Sequence, residues 1–337
     1  MNIRTPLGAL ALLAGLALTA CSAGPPLPNF VLGAPVAVPN PGFEPFSAYP
    51  DGHLSVVPGP NGTCQTYWAG WESHRSLGCD PMAVSLDPKT AVLTKGSPGS
   101  FDNGGAWLYS VARITDTRLV GFYHAEDREF PGDPSSNFTS WKSGAWAESD
   151  DDGLTWSKGG QFLTNPEPKP AQPEWGSSGD FSVIRHDGRF HAFFAAKDHI
   201  GLAVSDDPEG RPGTWFKYYD GEFSEPGLGG ETSHLPGLYW RSGGNPSVHY
   251  NEALGHFVMV WHEWDGDLAL AVSDDLVHWS ATTLLERESG EKNWYPTIVG
   301  SDSEHGGADV RLFYGHWANA DDVASRVMQM RPLHLSK

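Results

Sequence analysis

Basic residues are scarce: 22 Lys and Arg stand against 41 Asp and Glu in 337 residues, a formal net charge of -19. Such a surface repels phosphate backbones and anionic headgroups, which excludes a nucleic-acid partner and leaves a neutral or cationic ligand as the better fit. Long apolar runs are missing apart from Leu7 to Ala20, which is too short to span a bilayer as a helix. Cysteine is limited to three residues, and no His-x-His or Cys-x-x-Cys pair commits the chain to a transition metal. What is abundant is 40 Gly, 27 Pro and 14 Trp, a composition of tight turns and aromatic platforms that excludes helical bundles and coiled coils.

The apolar run follows Arg4 and ends Leu18-Thr19-Ala20-Cys21, which resembles the lipobox of bacterial lipoprotein signal peptides. The resemblance implies removal of residues 1–20, lipidation of Cys21 and anchoring in the bacterial cell envelope, with membrane contact through the lipid alone. A plain secretory signal would export the chain equally. Export leaves Cys64 and Cys79 as a pair in an oxidising compartment, so a disulfide is expected ahead of two free thiols or a metal pair. Residues 21–43, rich in Pro and Gly, read as a tether with a first strand around 30–38.

Short apolar strands ending in Ser-x-Asp recur four times: Met82 to Asp87, Ala145 to Asp151, Leu202 to Asp207 and Leu270 to Asp275. The repeat length suits one four-stranded sheet with its loops, the blade of a β-propeller. Ser149 to Trp156 is a complete Ser-x-Asp-x-Gly-x-Thr-Trp and matches the Asp-box of sialidase-like propellers; shorter or interrupted forms run to Trp215 and Trp279. The box reads as a turn device: Asp accepts backbone N–H groups, Gly supplies positive φ and Trp packs between sheets.

Upstream of each box lies a pair of strands. The pairs at 180–194 and 245–261 are clear hairpins, and weaker equivalents lie at 51–71, 102–124 and 295–316. Five units follow. The last lacks chain for an outermost strand, which the segment at 30–38 supplies. The expected fold is therefore all-β, a five-bladed propeller over 44–337 closed by an N-terminal strand, since closure removes the open sheet edge.

Inner strands of a propeller line its axis. Here they begin at Asp51, Asp102, Asp180, Asn245 and Tyr295, and three carboxylates converging on one axis would split into acid and base, as glycoside hydrolysis requires. A second polar ring follows the next strand of each unit and contains Glu72, His74, Arg75, His124, Glu126, His262, Glu263 and His316. Trp175, entering through a Gly-rich loop, is the candidate rim platform for a sugar ring. No cofactor is required on this reading; if an axial cation is present, calcium comes first.

The strand starts, with Leu202-Ala-Val-Ser-Asp-Asp207, Leu270-Ala-Val-Ser-Asp-Asp275 and their following Trp, resemble the five-bladed furanosidase superfamily, the fold of glycoside hydrolase families 43, 32 and 130. The resemblance implies three axial acids: Asp51 as base or nucleophile, Asp102 as the tuning or substrate-holding acid, and Asp180 as proton donor with Glu126 competing for that role. The signatures of the invertase-like branch are absent, so the resemblance favours arabinan-like furanosides. The expected protein is a monomeric glycoside hydrolase acting on a neutral oligo- or polysaccharide. A non-catalytic glycan-binding propeller is the alternative, and a sialidase-type enzyme, suggested by the complete Asp-box, stands behind both.

Overall fold

The computed structural model describes residues 24–43, 50–70, 72–133, 139–238 and 243–337. Cys21, Trp71 and Trp240 lie outside them, as does the segment 1–20. Among the described residues no helix is long and apolar enough to cross a membrane.

The chain begins with β1 (Asn29–Leu32) and β2 (Val36–Ala37). Blade 1 comprises β3 (Leu54–Pro58), β4 (Cys64–Ala69) and β5 (Ser73–Leu77). Blade 2 comprises β6 (Gly105–Arg113), β7 (Leu119–Asp127), β8 (Trp141–Ser149) and β9 (Ser157–Leu163), with β10 (Gly176–Ser177) running parallel to β8. Blade 3 holds β11 (Phe181–His186), β12 (Arg189–Ala195), β13 (Ile200–Ser205), β14 (Trp215–Tyr219) and β15 (Glu222–Pro226). Blade 4 holds β16 (Gly244–Asn251), β17 (His256–His262), β18 (Leu268–Ser273) and β19 (Trp279–Leu285). In blade 5, β20 (Lys292–Val299), β22 (Asp309–Trp317) and β23 (Arg326–Ser336) pair in order, while β21 (His305–Gly306) crosses to β16.

Five blades and the closing strand stand as expected. β1 pairs antiparallel with β23, from Asn29 opposite Ser336 to Leu32 opposite Leu333, and β2 adds Val36 opposite Met330. The first and last segments of the chain thus share one sheet, which removes the free edge of blade 5.

Each sheet buries both faces, so alternate residues of one strand enter different cores. Tyr123 of β7 packs with Val57 and Tyr67 of blade 1, whereas Phe122 packs with Phe162, Phe181 and Phe190 toward blade 3. Similar clusters join blades 3 and 4 through Phe193, Trp261 and Trp279, blades 4 and 5 through Val258, Leu270 and Leu312, and blades 5 and 1 through Phe313, Val299 and Trp68. The apolar cores therefore lie between blades, and the axis is left to polar groups.

The Ser149–Trp156 turn has the expected geometry: Asp151 Oδ1 accepts the backbone N–H groups of Leu154 and Thr155 at 3.1 and 2.9 Å. Asp151 is held below the usual carboxylate range because these bonds, with those from Thr155 and Ser149 side chains, outweigh a slight burial that would raise it. Trp215 and Trp279 are buried, and each indole N–H donates to a carbonyl of its own turn.

Blade 1 departs from the repeat. Met82 to Asp87 does not form its third strand; β5 takes that place, and the repeat segment contributes one bridge, Leu86 to Ser76. Pro81 and Pro88 flank the segment and lack the N–H a ladder needs. Cys64 and Cys79 are disulfide-bonded, tying the start of β4 to the turn after β5.

Candidate active site

Inner strands start at one rim of the ring, and second strands end there. Asp51 stands just before β3, held by its N–H donating to Ala69 O at 3.0 Å. Asp180 immediately precedes β11 and accepts the Ala195 N–H at 2.8 Å through its carbonyl. Glu126 is the penultimate residue of β7 and points to the blade 3 side, in phase with Phe122 and His124. Three carboxylates from blades 1, 2 and 3 therefore meet at the axis.

Each is matched by a cation. Arg326 Nη1 donates to Asp51 Oδ1 at 2.9 Å, and the Tyr295 hydroxyl reaches the same oxygen at 3.4 Å. Arg128 donates to Glu126 Oε2 through Nε at 2.9 Å and Nη2 at 2.5 Å. Lys142 Nζ donates to Asp180 Oδ2. Between the last two acids sits His124, buried, whose Nδ1–H donates to Gly179 O at 2.7 Å and lies 3.4 Å from Asp180 Oδ1, while Nε2 lies 3.4 Å from Glu126 Oε1.

The acids differ in how far these cations offset removal from water. Asp51 is raised above the usual carboxylate range, because burial and the neighbouring Glu126 outweigh Arg326. Burial also acts to raise Glu126 and Asp180, yet both are held below the usual range: Glu126 by His124 and Arg128, Asp180 chiefly by Lys142 and His124. Tyr109 and Tyr295 lie in the field of all three acids, and their hydroxyls, raised first by burial, stay neutral.

Around these groups several buried polar atoms have no protein partner: His53 Nε2, both ring nitrogens of His262 and Asn245 Oδ1. Burial pushes the His53 and His262 imidazoles down to about 3, so both are neutral near pH 7. His262 stacks on Trp294 with ring centroids 4.9 Å apart, and the buried Trp294 Nε1 is also unpartnered. Unmatched buried polar atoms cost free energy unless a ligand or water meets them. Asn245 and Tyr295 adopt φ of +50° and +55°, each just before a proline and each in a β-bulge. A residue before proline disfavours that region, so strain is concentrated at this rim.

Asp102 does not join the site. Its carboxylate meets Lys158 Nζ at 2.5 Å, the Tyr123 hydroxyl at 3.3 Å and the Ser100 hydroxyl at 2.8 Å. Tyr123 lies on the face of blade 2 opposite His124 and Glu126, so the expected convergence of Asp51, Asp102 and Asp180 is replaced by Asp51, Glu126 and Asp180. The reason is alternation along β7: one residue's difference in phase turns a side chain from one blade interface to the other.

Of the second ring, His124, Glu126 and His262 reach the site, as do Asn245 and Tyr295 from the inner strands. Arg75 is buried elsewhere, donating to the carbonyls of Asp87 and Asp152, both at 3.0 Å, and so stapling blade 1 to blade 2. His74 packs edge-on against Phe43 and bonds the Glu72 carbonyl, while Glu72 accepts the Lys95 N–H. His316 bonds Asn293 at 2.9 Å, Glu263 neighbours Asp265 and Asp267, and Trp175 is 56% exposed.

Sequence reading missed His53, Tyr109, Arg128, Lys142 and Arg326. A signal for two of them was present: Ser55, Ser110, Ser182, Ser247 and Thr297 stand one per inner strand, and His53, Asp180, Asn245 and Tyr295 each lie two residues before a member of that set. In blade 2 a register shift between Leu108 and Ser110 brings Tyr109 into the equivalent place.

Calcium requires six to eight oxygen ligands. The axial carboxylates are already matched by cations, and the unpaired atoms are mostly imidazole nitrogens, so these residues do not fit an axial calcium.

No protein-family model and no curated protein match the chain. Solved structures do, as folds. A structure from the family-130 mannoside phosphorylases and glycoside hydrolases that target β-1,2 mannosidic linkages aligns with TM-score 0.52 at 14% identity, covering 92% of this chain and 96% of that one. The catalytic domain of a family-62 α-L-arabinofuranosidase from Coprinopsis cinerea gives 0.51 at 11% identity, covering 91% and 96%. A thermostable family-43 glycoside hydrolase gives 0.50 at 11% identity, covering 94% and 96%. The chain thus has the five-bladed propeller fold that these glycoside hydrolases share.

Proposed function

We propose that the protein is a glycoside hydrolase, exported and lipid-anchored through Cys21, that cleaves a neutral oligo- or polysaccharide at the rim of its propeller. The observation that carries this reading is the meeting of Asp51, Glu126 and Asp180 beside the unpartnered polar atoms of His53, His262 and Asn245. Glycoside hydrolysis needs one carboxyl that keeps a proton and one that is ionised. The electrostatics favour Asp51 as the proton donor and Asp180 and Glu126 as the ionised pair, which reverses the roles expected for Asp51 and Asp180. His262 and Asn245 would hold sugar hydroxyls, with Trp294 as an apolar face beside them. The disulfide is consistent with an exported protein.

The activities of the fold neighbours make α-L-arabinofuranosides and β-1,2-mannosides the first substrates to try, with arabinan-like furanosides favoured. Released sugar should be measured on both natural glycans and aryl glycosides with a good leaving group. If Asp51 is the donor, D51N loses most activity on the glycan and retains it on the aryl glycoside, because a good leaving group needs no proton. D180N should lose both. Equal loss on both substrates in D51N would return Asp51 to the base role.

A second reading rests on the ion pairs themselves. Three acids each matched by a cation also suit a glycan-binding propeller that performs no cleavage. Sugar binding without release of product across the substrate panel would favour it.

A further inference from the structure

The rim of blade 3 carries a cluster that the carboxylate site does not use. Asp198 and His199 lie in the turn between β12 and β13, and His234 lies in the segment after β15, 35 positions further on. The Ala196 N–H donates to His199 O at 2.7 Å, and the Ser233 N–H to Tyr218 O at 3.0 Å, so backbone bonds fix both segments. Leu235, buried in the core between blades 3 and 4, anchors the second.

His199 is 9% exposed, and its Nδ1 lies 2.8 Å from Asp198 Oδ1. Asp198 accepts the Nδ1 proton of the free imidazole, and when an ion displaces that proton the ring nitrogen and the carboxylate oxygen can face it together. His199 Nε2 is buried and has no hydrogen-bond partner. The His234 ring stacks on His199 with centroids 4.2 Å apart and planes 24° from parallel. One ligating atom from each of the three residues lies within 4.8 Å of the others.

We propose that Asp198, His199 and His234 form a binding site for a borderline divalent transition metal, with Zn²⁺ as the representative ion. Two imidazoles and a carboxylate match the preference of such ions and not the all-oxygen shell of calcium or magnesium. Three protein ligands leave a position open to water or to a ligand oxygen. The turn follows Ala195, whose N–H fixes the Asp180 backbone, so an ion here would stand on the same rim as the carboxylates. A second acidic group on blade 4, Glu263 with Asp265 and Asp267, offers only oxygen ligands.

The test is calorimetric titration of the metal-stripped full chain with ZnCl₂, read beside its thermal unfolding. The wild type should take up one equivalent and gain stability on binding, since a ligand held by the folded state alone raises its midpoint. H199N and H234A should each weaken binding by at least about tenfold, whereas D265N should leave it unchanged. The exposed His234 allows a folded variant, checked by its unfolding midpoint without metal. No zinc uptake by the wild type, or uptake unaltered in both histidine variants, would overturn the assignment. Because the readout is metal binding, it is independent of whether any glycan is cleaved.

Discussion

The two ends of the propeller axis are built on opposite principles. At the rim, charged groups are matched in pairs around polar atoms left open. Further along the axis, the five hydroxyl residues Ser55, Ser110, Ser182, Ser247 and Thr297, one from each inner strand, line a cavity of about 210 Å³. Several staple neighbouring blades: Ser55 Oγ accepts the Val111 N–H at 3.3 Å, Ser110 Oγ that of Val183 at 2.8 Å and Ser247 Oγ that of Ile298 at 3.2 Å. The turn between β20 and β22 then crosses beneath. Ser303 bonds Val56 of blade 1, and Glu304 bonds Arg185 of blade 3 and Tyr250 of blade 4. The difference teaches that one ring of strands separates two tasks: the far end holds the blades together through hydroxyl groups and the Ser303–Glu304 turn, and the rim keeps matched charge and open valences for chemistry.

The strongest way to break this comparison is to remove charge at the rim. On the hydrolase reading, E126Q and D180N should each lower kcat by about 10³-fold or more, a loss of roughly 4 kcal/mol of transition-state stabilisation, and should also lower stability because Arg128 and Lys142 lose buried partners. D102N should cost stability alone: leaving Lys158 beside a neutral partner should cost about 3 kcal/mol, with kcat within twofold of wild type.

The pH dependence of stability separates the buried imidazoles beside the carboxylates from Glu304 by sign. His53 and His262 have folded values of about 3, below the ordinary 6.5, so the stability they contribute is complete above 6.5 and is lost as pH falls toward 3. Each neutral imidazole should add about 1.4 kcal/mol per pH unit to that loss, and H262Q should flatten the slope measured between pH 6 and 4. Glu304 is pushed up to about 7, mainly by burial, from 4.5. Its contribution is complete below 4.5 and is lost as pH rises through 7, so E304Q should gain stability relative to wild type at pH 8 and not at pH 4. The smallest effect belongs to a single staple: S110A should cost about 1 kcal/mol and leave substrate kinetics untouched.

Much of this architecture was legible because it is periodic. Hairpins such as 181–195, with Asp187 and Gly188 at positive φ in the turn, announce themselves by alternation and turn chemistry. Repetition exposed four of the five units clearly enough to count the fifth. Blade 1 was legible only in its first two strands, because the repeat segment bounded by Pro81 and Pro88 could not take its usual place. At the site, Asp51 and Asp180 were visible as strand starts. Asp102 had the same credentials and a different destination, since the β-bulge of β6 and the phase of β7 decide which interface a side chain enters.

The sequence by itself determined the number of blades, the closure by an N-terminal strand and the pairing of Cys64 with Cys79, because local periodicity and the short supply of cysteine leave few alternatives. Only the tertiary structure decided which carboxylates meet, which cation each one faces, and that His199 and His234 lie ring upon ring. Those are relations between side chains dozens of residues apart, set by sheet phase and blade packing, and no local pattern encodes them.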